Sequence, residues 1–161
     1  MNRALLPSFA LLLATVAGCS SISQTQQGRA SKCQSSASAN RQVVLDFYTE
    51  ALINQKPRAA FDRYVADSFV EHKPDIPGGT KEATAAFLEE LIKEMPAPKW
   101  EIVRTIAEND LVFLHARFTP AVGAEPYAIA DVFRLTSCMI VEHWDVVAGP
   151  PKESRNPHSR F

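Results

Sequence analysis

The chain has 161 residues, 46% of them hydrophobic and 22% charged, and its 17 basic and 18 acidic side chains leave a formal net charge of −1. That balance suits one globular domain with a real core and excludes a disordered chain. No block of like charge stands out, so nothing points to nucleic acid as a partner.

Met1-Asn2-Arg3 is a short positive start, followed by an apolar run from Ala4 to Ala17. The run is too short to span a membrane and reads as the core of a signal peptide over residues 1–18. Val16-Ala17-Gly18-Cys19 resembles the bacterial lipobox, which implies that Cys19 is lipidated and opens the mature chain. Stable anchoring needs more than one acyl chain, each contributing roughly 0.8 kcal/mol per buried CH₂. The expected location is therefore the cell membrane or outer membrane, lipid-anchored after export. Ser20, in place of the Asp linked to inner-membrane retention, makes the outer membrane the default in a diderm cell. Residues 19–39 read as the lipidated Cys and a Ser/Gln-rich tether with no aromatic residue. A flexible coil of about 20 residues spans roughly 25 Å on average. Export makes a disulfide chemically possible, but with Cys33 in the tether, free thiols at Cys33 and Cys138 are the expectation.

The folded domain is expected over 40–161. Asn40 is placed to cap a helix from Arg41, with Val43, Val44, Phe47, Tyr48, Ala51 and Leu52 recurring at helical spacing. Pro57 suits the first turn of a second helix through Phe61, Tyr64 and Val65. Phe69-Val70-Glu71-His72 reads as extended, and Lys73 to Gly79 as a loop. Thr80 caps a third helix whose apolar face carries Phe87, Leu88, Leu91, Ile92 and Met95, and Pro96 and Pro98 end it. Four strands follow, at 100–107, 111–119, 127–135 and 139–147. Helices first and an antiparallel meander after indicate an α+β fold, with helices covering one face of a curved sheet.

The third of these strands alternates Tyr127, Ile129, Asp131, Phe133 and Leu135 on one face. A carboxylate among large apolar side chains is costly unless paired, protonated or used, and such a setting raises its pKa towards that of a general acid or base. An ion pair with Arg104 or Arg117 is an equally open reading of Asp131. His115 approaches Asp131 if the face it shares with Leu111, Phe113 and Arg117 is the concave one. On the last strand Val141, His143 and Asp145 oppose Ile140, Glu142, Trp144 and Val146, and both sets mix polar with apolar. A bulge would bring His143 and Trp144 inward together. His72, just before the loop, suits a pocket rim. The spacings of the histidines match no common zinc site, so no metal is expected.

Phe69-Val-Glu-His-Lys-Pro74, the helix from Thr80, Ile102 to Val112, Asp131-Val-Phe-Arg134 and Ile140-Val-Glu-His-Trp-Asp-Val146 together resemble SnoaL-like polyketide cyclases of the nuclear transport factor 2-like superfamily. The resemblance covers roughly residues 40–161. It implies a cone-shaped α+β barrel, a pocket between bent sheet and helices, and frequently a homodimer. It also implies Asp131 as the acid/base of an aldol closure and His115 as its assistant, with no cofactor. Tyr48, His72, His143 and Trp144 are the candidate ligand-binding residues. The expected function is acid–base catalysis, of aldol-condensation, cyclase or isomerase type, on a small hydrophobic carbonyl compound. The alternative is a non-catalytic ligand-binding or protein-interaction module on the cell envelope. Family hairpins usually turn on Asp-Gly or Asn-Gly, so Ser137-Cys138 is expected to adopt a different turn.

Overall fold

The computed structural model describes residues 35–161. The expected signal peptide, the lipidation site at Cys19 and most of the tether lie outside the described residues. The first helix, α1, covers Ala37–Tyr48 and runs on into a π-helical turn at Thr49–Ile53. Its cap is Ser36, whose hydroxyl accepts from the Ala39 amide. The expected cap, Asn40, lies one turn inside the helix and is buried. Its amide donates to the Asn109 carbonyl at 3.0 Å and so ties the helix to a sheet turn. The second helix, α2, covers Pro57–Tyr64, and the third, α3, covers Lys81–Glu94 with Thr80 as its cap.

The strands are β1 (Val65–Glu71), β2 (Lys99–Glu108), β3 (Leu111–Thr119), β4 (Tyr127–Thr136) and β5 (Met139–Ala148). They form one five-stranded sheet in the order β1-β5-β4-β3-β2. The last four strands make the expected antiparallel meander. Contrary to a wholly antiparallel sheet, β1 joins its edge parallel to β5, with Glu71 beside His143. Helices followed by this curved mixed sheet make the α+β, cone-like architecture of nuclear transport factor 2-like proteins.

The core lies between helices and concave face. Phe47 of α1 meets Phe61 and Phe133 edge-on, at 5.3 and 5.9 Å between ring centres. Along β3 the inward side chains are Val112, Leu114, Ala116 and Phe118, all buried. This set is wholly apolar, whereas the opposite set carries His115 and Arg117, so burial selects the first.

Two local departures from regular ladders shape β5. Its register against β4 slips between Leu135↔Ile140 and Arg134↔Glu142, leaving Val141 as an extra residue. The hairpin before it turns on Ser137 and Cys138, both with positive φ (50° and 59°). That is the backbone an Asn-Gly pair would adopt, so the expectation of a different turn geometry is wrong. The free thiol expected at Cys138 is also corrected: Cys138 is disulfide-bonded.

Candidate active site

A cavity of about 340 Å³ opens between the helices and the concave face. Most of its lining is apolar, from Phe47 and Leu52 to Trp100, Phe118, Ile129 and Val147. Apart from Thr84 of α3, its polar side chains gather along β1, β4, β5 and the loop after β1, with Tyr48 facing them from α1.

Asp131 points inward at the middle of β4, flanked across the sheet by Leu114 on β3 and Asp145 on β5. Neither arginine considered for it lies on this face: Arg104 and Arg117 are on the outer side with His115. His143 holds the Asp131 carboxylate instead, its Nε2 lying 3.1 Å from Oδ1. The other ring nitrogen, Nδ1, is 2.8 Å from Oε2 and 3.0 Å from Oε1 of Glu71. Glu71 also accepts from the Lys73 backbone amide at 2.9 Å. The Lys73 ammonium donates to Asp145 at 2.9 Å, with Asp75 at 3.6 Å.

An ionised carboxylate only accepts hydrogen bonds, so a ring nitrogen facing one must carry its hydrogen. Placed between two carboxylates, His143 therefore favours the imidazolium. Burial alone would lower its pKa, but the hydrogen bonds to Asp131 and Glu71 outweigh that and raise it to about 10. Burial pushes the Asp131 carboxyl up, against the pull of His143, and the nearby charges of Asp145 and Glu71 add to the rise. Oδ1 of Asp131 is committed to His143. Oδ2 is buried in the cavity wall and, among the described residues, has no hydrogen-bond partner. The same is true of the Tyr48 hydroxyl. Burial first, and the adjacent Asp131 second, raise the Tyr48 phenol well above its usual pKa.

The expected dyad of Asp131 with His115 does not form. His115 pairs with Ala130, one position out of phase with Asp131, and projects from the outer face. There it stacks on Phe161 at 5.8 Å, and Arg117 lies 4.4 Å over the same ring. Burial, then Arg104, lower its pKa. Two of the four ligand-binding candidates, Tyr48 and His143, line the cavity. His72 and Trp144 do not: they stack on each other at 4.6 Å on the outer face, where His72 also reaches Glu142 at 3.4 Å. The Val141 bulge brings Ile140 and His143 inward together and leaves Trp144 out. Sequence reasoning missed Glu71, Lys73 and Asp145 as site residues. Glu71 shares a face of its strand with Phe69, and that was the available signal.

The loop between β1 and α3 is fitted tightly beneath this group. Gly79 has φ +57°, and a Cβ there would lie 2.6 Å from the Glu71 carbonyl oxygen. Only glycine combines that backbone with that approach.

No curated protein matches the chain. Solved structures with a similar fold include a nuclear transport factor 2-like protein of unknown function from Mesorhizobium loti, 17% identical, with a TM-score of 0.59 over 73% of this chain and 97% of that one. A candidate polyketide cyclase from Bacillus cereus is 19% identical, with a TM-score of 0.59 over 73% and 79% of the two chains. An LEH-like epoxide hydrolase from Mycobacterium tuberculosis is 17% identical, with a TM-score of 0.56 over 69% and 84%. The SnoaL-like domain profile matches residues 44–143, a span that takes in Tyr48, Glu71, Asp131 and His143, and the chain belongs to that family.

Proposed function

We propose that this protein is a cofactor-independent acid–base catalyst acting at the carbon next to a carbonyl group, of aldol-condensation, cyclase or isomerase type. Its substrate would be a small, uncharged, hydrophobic compound. The observation that carries the reading is Asp131: one oxygen is fixed by His143, and the other is unpartnered in an otherwise apolar cavity. A carboxylate so placed and raised in pKa is suited to remove and return a proton near neutrality. His143, bridged to Glu71, orients the carboxylate and compensates its charge as it changes. Similar structures named as a candidate polyketide cyclase and an epoxide hydrolase support a catalytic use of the cavity.

Exchange of α-hydrogens for deuterium in a panel of apolar ketones, followed by NMR, tests the reading without a known substrate. Asp131→Asn should slow exchange by about 100-fold or more, the usual range for loss of a general base. An exchange rate equal to that of wild type would overturn the role. Ketone binding with no exchange in the wild type would favour the binding module instead.

The domain is further proposed to work at a membrane surface, on a tether from a lipidated Cys19. Val16-Ala17-Gly18-Cys19 supports this, and no helix among the described residues is long and apolar enough to cross a membrane. Cys19→Ser should move the protein from the membrane to the soluble fraction; retention would refute the anchor.

A further inference from the structure

We propose that the substrate carries its carbonyl group close to one end and, on the other side, an unbranched apolar tail of about ten carbons. The inference rests on the reading of Asp131 as general base and names the class of substrate that base serves.

The cavity is graded along its strands. Inward positions of β4 pass from Phe133 through Asp131 and Ile129 to Tyr127. Phe133 and Asp131 are buried, whereas Ile129 and Tyr127 are half-buried. On β5 the same gradient runs from fully buried Ile140 to Val147, which is 45% exposed. α3 covers the outer half with Leu88, Leu91 and Met95, all half-buried. Solvent therefore reaches the cavity at the Tyr127 and Val147 end, and Phe133 and Ile140 belong to its floor.

That floor is closed. Phe133 stacks on His143 at 4.7 Å and meets Phe47 edge-on at 5.9 Å. Phe61 continues the packing, edge-on to Phe47 at 5.3 Å and to Phe69 at 5.9 Å. Rings packed at core density admit only a small group beneath Asp131.

Towards the mouth the geometry differs. Asp131 and Tyr127 are four residues apart on β4, about 13 Å along an extended strand. A single-bonded chain advances roughly 1.2 Å per bond, so about ten carbons fill that length. The charged lining stays level with Asp131: His143 bonds to it, Glu71 pairs with His143, and Asp145 lies opposite and holds Lys73. Beyond them the walls of Ile129, Val147, Leu91 and Met95 bring no charge, and Leu and Met adapt to a flexible chain. With the short end of the ketone on the floor, its α-carbon meets the Asp131 carboxylate. The C–H bond breaks, its proton forms an O–H bond on the carboxylate, and the electron pair stays in the enolate until a deuteron returns to carbon.

The test uses straight-chain ketones from 2-pentanone to 2-tridecanone, with 6-undecanone as the isomer of 2-undecanone whose carbonyl is central. Affinity is measured by calorimetry and α-deuterium exchange by NMR, each rate divided by that of the same ketone with acetate as base. Affinity should tighten about fourfold per added CH₂, equivalent to roughly 0.8 kcal/mol, through 2-undecanone, and level off by 2-tridecanone. 6-Undecanone should bind and exchange at least about 10-fold less well, the loss of about two buried CH₂ groups. Ile129→Phe and Val147→Phe put bulk into the outer half and should end the rise at shorter tails. Thermal unfolding of both variants reports on the fold. Equal affinity and exchange for the two undecanones would overturn the inference, as would affinity indifferent to tail length or no binding of any ketone. So would a length profile unchanged from wild type in both folded variants. Length-dependent binding without exchange in the wild type would uphold the tail channel and remove Asp131 as base. Exchange lost in Asp131→Asn but indifferent to tail length and carbonyl position would keep the base and overturn the tail.

Discussion

His143 lies between Glu71 and Asp131, and its ring also stacks on Phe133 at 4.7 Å. Buried histidine without partners would be neutral, so its retention of a proton to about 10 depends on the two carboxylates. An unfolded histidine titrates near 6.5. Between those values the folded chain binds more protons than the unfolded one, so this stabilising contribution is complete below 6.5 and is lost as pH rises through 10. The raised Asp131 carboxyl acts in the same direction at lower pH. Urea unfolding at pH 7, 8 and 9 should therefore show stability falling, by at most about 1.4 kcal/mol per pH unit for one proton. His143→Gln should flatten that slope, and a flat wild-type profile would contradict the bridged imidazolium. Glu71→Gln replaces a charged acceptor with a neutral one and should lower the His143 pKa, read from its ring resonances by NMR.

At the level of elements, β3 and β4 show what was legible and what was not. The alternation along β4 correctly turns Asp131 inward, because Phe133 and Leu135 share its face. The same rule applied to β3 places His115 outside, since the other set, Val112 to Phe118, is wholly apolar. Interest in a histidine near Asp131 ran against that simpler signal. Glu71 becomes a partner of His143 only through parallel pairing of β1 with β5, between residues 72 apart in the chain, and local periodicity carries no information about such pairing. The phase of β5 depends on one bulged residue, which alternation also does not reveal. Two turns give tests of stability. Ser137 occupies a left-handed position at φ 50°, where Asn is better tolerated. Ser137→Asn should raise stability by roughly 0.5–1 kcal/mol, measured by thermal or denaturant unfolding. Gly79→Ala should lose more than about 1 kcal/mol, because strain and a clash with the Glu71 carbonyl coincide; an unchanged unfolding midpoint would show that the loop yields.

For the whole molecule, the outer face of the sheet is the large surface not accounted for by the cavity. The registers align Ile106, Phe113, Val132 and Trp144 in one row across β2, β3, β4 and β5. Ile106 is 64% exposed, as is 69% of Val146 close by. A homodimer, which the family resemblance implies, is proposed to cover this row. Ile106→Lys combined with Val146→Asp should then shift the sedimenting species from dimer to monomer, and an unchanged mass would reject this face as the contact. The C-terminal segment already occupies the adjoining strip, with Phe161 on His115 and Arg117, and Arg160 donating to the carbonyls of Gly149 and Pro126. His115, expected to serve catalysis, thus takes part in holding that segment on the sheet.

The extra residue at Val141 acts on β5 much as a frameshift acts on a coding sequence. Before it, Ile140 is read into the core; after it, the phase inverts, and His143, Asp145 and Val147 are read into the cavity in place of Glu142, Trp144 and Val146. Straightening the strand with every residue kept would exchange an acid–base site for a tryptophan, without altering a single side chain. Deleting Val141 would instead give an even ladder in which Ile140 and His143 both still point inward. Anyone transplanting this site to another hairpin must therefore carry over the count of residues as well as their identities.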